Sequence, residues 1–166
     1  MTDTVLENIC RECERIEEDA IHSGKAHHNA ASLWSSVHYL IGIPMTIFAA
    51  WAGIDAFSAD PTWSGHLAIG TAALAALQTF LGASDKAAKH SNAGCGYFTL
   101  KNQVRFFKEI ELSGIEKAEA VQKIRAFTKD RDELNNISPA IPYPAFWFAR
   151  KSIDSGCAIY RADKGE

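Results

Sequence analysis

Residues 33–56, LWSSVHYLIGIPMTIFAAWAGIDA, and residues 63–84, WSGHLAIGTAALAALQTFLGAS, decide how this chain is read. The first stretch holds only His38, Tyr39 and Asp55 as ionisable side chains, and the second only His66. At about 1.5 Å per helical residue, each is long enough to cross roughly 30 Å of bilayer hydrocarbon. Residues 57–62, FSADPT, read as a turn, so two spans joined so closely form an antiparallel hairpin. The expected spans are 33–57 and 63–84, with an external turn at 58–62.

Aromatic residues cluster near the ends of these stretches. Trp34 and Tyr39 lie near the start of the first, Trp51 and Phe57 near its end, and Trp63 opens the second. Such rings favour the headgroup layer, where a polar edge stays wet. Arg11, Arg15 and Lys25 precede the first span, the turn has no basic residue, and every other Lys and Arg follows the second. That asymmetry places both termini on the cytoplasmic side of an inner membrane. The amino-terminal region is acidic and does not read as a signal peptide. A soluble helical bundle with a buried hairpin is the competing reading, since the second stretch is rich in alanine. Neither stretch, however, carries the charged stripe of a soluble core helix.

Composition agrees with an uneven distribution: 47% of residues are hydrophobic, yet the mean hydropathy is −0.12. A net charge of −3 gives no sign of a nucleic-acid partner. Cys10, Cys13, Cys95 and Cys157 are scattered, not arrayed as a disulfide framework.

The polar remainder reads as helical. Thr4-Val5-Leu6-Glu7 has the form of a capping box, and Leu6, Ile9, Cys13, Ile16 and Ala20 recur at three- and four-residue spacing. Cys10 and Cys13 have zinc-ligand spacing, but no second pair completes a site, and core packing suits Cys13 better. After the second span, Tyr97, Leu100, Val104 and Phe107 repeat the seam, with a bend expected at Gly94 and Gly96. Ser113-Gly114-Ile115-Glu116 reads as a second capping box, opening a helix to about Asn136 with Ala120, Ile124, Phe127 and Leu134 as its apolar face. Residues 138–166 follow as a proline-rich turn and a C-terminal helix or tail. Its stretch at 145–151, AFWFARK, suits either the membrane surface or docking on the polar helices. The expected fold is therefore an all-α membrane protein: a two-helix transmembrane hairpin, cytoplasmic helices at 1–32 and 85–137 packed as a bundle, and an oligomeric assembly.

The segment Lys25-Ala26-His27-His28-Asn29-Ala30-Ala31 leads into His38-Tyr39-Leu40-Ile41-Gly42-Ile43-Pro44, and the described pattern closes on Ser138-Pro139-Ala140-Ile141-Pro142. In order and spacing over nearly the whole chain this resembles the SLATT family, small bacterial proteins with two transmembrane helices. The resemblance implies an effector of antiviral conflict systems, encoded beside a nucleotide-second-messenger synthase or a nucleotide sensor. It further implies a membrane pore that kills or arrests the infected cell.

A hairpin of two helices encloses no channel alone, so a pore requires a homo-oligomer. Ser64, Ala68, Ala72 and Ala76 form one ridge of small residues, and Thr71, Ala75, Thr79 and Ala83 another, either suited to close helix packing in lipid. Gln78 is the most polar residue deep in a span. With Thr71 it lines a pore or bonds across subunits, or it bonds within the hairpin to Thr46. Gly42 and Pro44 mark a kink near Leu40, read as a static shape feature or as a hinge. His38 lies near the cytoplasmic face, and Asp55 with Asp60 places carboxylates at the external mouth. No phosphate loop, nucleophile elbow or metalloprotease motif is present, so neither an enzyme nor a bound cofactor or metal is expected. The competing function is an anchored module whose cytoplasmic helices recruit a sensor or synthase without forming a pore.

Overall fold

The computed structural model describes residues 4–143, which are helical throughout apart from turns, with no strand among them. Four α-helices follow in order: α1 Thr4–Ala56, α2 Ser64–Leu81, α3 Ala83–Phe106 and α4 Lys117–Ile137. A five-residue π-helical turn, Phe107–Glu111, closes α3. The sequence expectations for 145–151 and Cys157 lie outside the described residues. The chain divides into two compact units, one of residues 4–30 with 89–143, the other Ala31–Ala88.

In the first unit, the seams read from the sequence meet. Ile9, Cys13 and Ile16 pack with Leu100, Val104 and Phe107, and Ala120 and Ile124 complete the core. Phe127 meets Phe107 edge to face with ring centroids 5.5 Å apart, a favoured aromatic geometry. Lys108 to Glu17 and Arg131 to Asp19, both 3.4 Å, link α1 to the π turn and to α4. Such partly exposed pairs contribute less than the core does. The π turn has a packing cause. Leu112 N–H donates to Phe107 O at 2.9 Å, and this one-residue expansion buries Leu112 next, leaving Glu111 half-exposed.

The helix boundaries correct one local expectation, the cap at Ser113. α3 runs unbroken through Gly94 and Gly96. Each permits close approach: a Cβ at Gly94 would lie 2.8 Å from His28 and 3.2 Å from Gly24 O, and one at Gly96 would lie 2.8 Å from Leu134. The interruption falls at Gly82, the one residue with positive φ (+54°) among those described, where glycine avoids the steric cost of a Cβ. Ser113 is not a helix cap. Gly114 N–H closes a turn onto Glu111 O, and α4 begins only after Glu116, which is extended and makes no side-chain cap bond.

The second unit is an antiparallel pair. The latter part of α1 lies along α2, with Asp55 beside Trp63, Phe48 beside Gly70, His38 beside Gln78 and Trp34 beside Lys86. Both helices are long and apolar enough to cross a membrane. What separates them from soluble core helices is where the apolar side chains go. Only 6% of the most apolar stretch of each is buried, and Leu40 is 75% and Phe80 88% exposed. Exposed apolar surface of this extent marks contact with a membrane or with other chains.

Close helix packing at Gly94 yields a stability test. Gly94→Ala is expected to destabilise the first unit by about 1–3 kcal/mol, since the obstructing atoms include backbone. Gly53→Ala, with nothing within 4 Å of its Cβ, is expected to leave the melting temperature unchanged or slightly raised. Thermal unfolding of the two variants in detergent measures the difference.

Candidate functional site

An apolar helix pair satisfies its hydroxyls internally, and this one does so. Thr46 Oγ1 donates to Gly42 O at 2.9 Å, Thr71 Oγ1 to Leu67 O at 2.8 Å, and Thr79 Oγ1 to Ala75 O at 2.9 Å. The Thr71 hydroxyl is thus engaged within α2. Asp55 Oδ2 accepts from the backbone N–H groups of Trp63 and Ser64 at 2.9 and 2.7 Å, capping α2 from the end of α1. The sequence placed Asp55 at an external mouth, and the structure gives its carboxylate this local task. Asp60 lies exposed in the turn, where its carbonyl accepts from the Thr62 hydroxyl.

Gln78 pairs across the hairpin with His38, its Nε2 3.3 Å from the ring Nδ1, while Oε1 is buried without a partner. Thr46 lies near but spends its hydroxyl on Gly42. Gln78, His38, Gly42 and Thr46 line one open recess of about 430 Å³ together with Tyr39, Ile43, Met45 and Ile47. α1 passes Pro44 without interruption, although proline removes one backbone donor there. Of the small-residue ridges, Ala68, Ala72 and Ala76 face outward and exposed, whereas Ala75 is half-buried.

The first unit holds a polar array that sequence reading missed. His27 and His90, 2% and 3% exposed, approach Nδ1 to Nδ1 at 2.9 Å. One ring donates and the other accepts, which requires at least one neutral imidazole. His27 stacks on Tyr97, whose hydroxyl donates to Asn135 Oδ1 at 2.8 Å, so α1, α3 and α4 are joined through one chain of polar contacts. His28 points elsewhere, onto Phe98, as adjacent helical positions require. Sixty-three residues separate the two histidines, and no local spacing announces their meeting. Burial, followed by the neighbouring His90 and His28, pushes the His27 pKa down to about 4, and burial also lowers that of His90. Among the described residues no three His, Cys, Asp or Glu side chains form a group that could hold a metal. Burial likewise pushes the Cys13 thiol up to about 11, so it serves as a core residue and not a nucleophile.

The histidine pair links stability to pH. Because both folded-state values lie below that of an exposed imidazole, the unfolded chain binds more protons in mildly acidic solution. Stability is expected to be complete above about pH 6.5 and to fall as pH drops toward 4. Denaturation of the native chain and of a His27→Phe, His90→Leu double variant at pH 7.5 and 5 measures this, and the variant should lose most of the dependence.

No protein-family model matches the chain, and neither a curated protein nor a solved structure is significantly similar to it.

Proposed function

We propose that this chain is an integral protein of a bacterial inner membrane, its hairpin crossing the bilayer with both ends cytoplasmic. Several copies assemble into a pore whose opening kills or arrests the cell in an antiviral response. One observation carries this reading: on a helix pair whose apolar side chains are largely exposed, the amide of Gln78 and the imidazole of His38 meet in a recess between the helices. Lipid offers nothing to an amide or imidazole, so such a recess favours water or a neighbouring copy. The outward ridge of Ala68, Ala72 and Ala76 supplies a surface on which helices approach closely. No Lys or Arg occurs between Lys25 and Lys86, which supports the orientation.

A second reading is favoured by the first unit. Phe106 and Ile110 stand 55% and 61% exposed at the π turn. Exposed apolar groups there suit recruitment of a sensor or a nucleotide-second-messenger synthase, with the hairpin then serving only as an anchor.

Membrane potential in bacteria after induced expression separates the two. The native chain is expected to depolarise cells rapidly, and Gln78→Leu to lose most of that effect. A native chain that stays silent even with the neighbouring operon genes and their stimulus present overturns the pore and leaves the anchored module.

A further inference from the structure

The contact between Gln78 and His38 fixes a protonation state as well as a distance. An amide Nε2 carries only donors, so across 3.3 Å it donates and His38 Nδ1 accepts. The imidazole is therefore neutral, with its proton on the other ring nitrogen. The far end of the amide, Oε1, is buried without a hydrogen-bond partner, so the pair closes with one acceptor already unmet. What faces the imidazole is otherwise uncharged. Tyr39 meets its ring edge to face with centroids 5.5 Å apart, and the Thr46 hydroxyl is spent on Gly42 O. Among the described residues no Asp, Glu, Lys or Arg lines the recess. Lys86 reaches α1 one turn before His38, where its ammonium lies 4.4 Å from the Trp34 ring centroid.

We propose that this contact is a proton-operated latch between the two helices of the hairpin, shut while His38 is neutral and released when His38 is protonated. The inference rests on the membrane reading above. Protonation puts a proton on Nδ1, and two donors then face each other across the contact. Turning the amide over offers Oε1 to that proton, but it sends the amide N–H groups into the closed position where Oε1 finds no partner. Either arrangement leaves buried donors unpaired, and an imidazolium with no carboxylate beside it has to be solvated. Water is the remaining source, and the open recess beside the pair is where it enters. Gly42 keeps this side of the amide free of a side chain: a Cβ there would stand 3.6 Å from Oε1 and 3.8 Å from Nε2. Acid at the end of the hairpin nearer His38 thus hydrates it at Gln78, where the pore reading needs water.

The full chain reconstituted in phosphatidylethanolamine–phosphatidylglycerol vesicles gives two readouts. The first is the side-chain nitrogen resonance of Gln78, assigned by its loss in Gln78→Leu. It is expected to move in a one-proton transition as pH falls from about 8 to 5, the range in which histidine ordinarily changes charge. In His38→Asn it should stay fixed, because an asparagine carbonyl takes the place of Nδ1 and does not titrate. A native resonance that stays fixed, or one that moves equally in His38→Asn, overturns the latch. The second readout is ion leak, expected to rise about tenfold over the same range in the native chain, the equivalent of one hydrogen bond, and to stay flat in His38→Asn. An equal rise in the variant assigns the response to other groups, such as His27 with His90, and overturns control of the leak by the latch. Vesicles that stay tight at every pH while the resonance moves keep the latch and overturn the pore.

Discussion

One unbroken helix sets the terms for everything else. α1 runs 53 residues without a stop and belongs to both compact units. Its first thirty residues present a seam of Ile9, Cys13 and Ile16 and then small residues, Ala20, Ala26 and Ala30, all deeply buried. Beyond residue 31 the pattern changes from one apolar face to apolar residues on nearly every side, and burial drops away. A helix needs no change of backbone to make this transition, because its hydrogen bonds are internal. Only the side chains must suit two surroundings.

The same economy governs the polar groups. Hydroxyls in the hairpin fold back on their own carbonyls, Asp55 satisfies two N–H groups at the start of α2, and His38 takes one end of Gln78. What is left over is small and specific: Oε1 of Gln78 in one unit and Oγ of Ser138 in the other. Buried polar atoms without partners are rare in folded proteins. In the first unit, by contrast, His27, His90, Tyr97 and Asn135 lie in one connected series of ring and hydrogen-bond contacts.

Periodicity made much of this legible. The two apolar stretches, the three seams and the core residues Cys13, Val104, Phe107 and Ile124 follow from spacing alone, because a helix repeats on a local period. Long-range pairing does not. His27 and His90 each look like an isolated polar residue on its own helix, and Gln78 gives no sign that His38 and not Thr46 will face it. Glycine roles are obscure for a related reason. Sequence marks Gly82, Gly94 and Gly96 equally, yet only the first needs a positive φ, while the other two make room for neighbours named nowhere nearby. The π turn was hidden as well, since its cause is the register needed to bury Leu112.

Gly82 also acts as a phase setter. Before it, α2 turns Leu67, Thr71, Leu74 and Gln78 inward; after it, α3 turns inward Ala83 and Ala87 within the same unit. Continued at the helical period, the first series would arrive at Asp85 and Lys89, and the second traced backward would arrive at Phe80 and Ala76. A single left-handed residue thus changes which helix face is buried within the second unit. It keeps Phe80 outside on one side of the joint and the charges of Asp85 and Lys89 outside on the other.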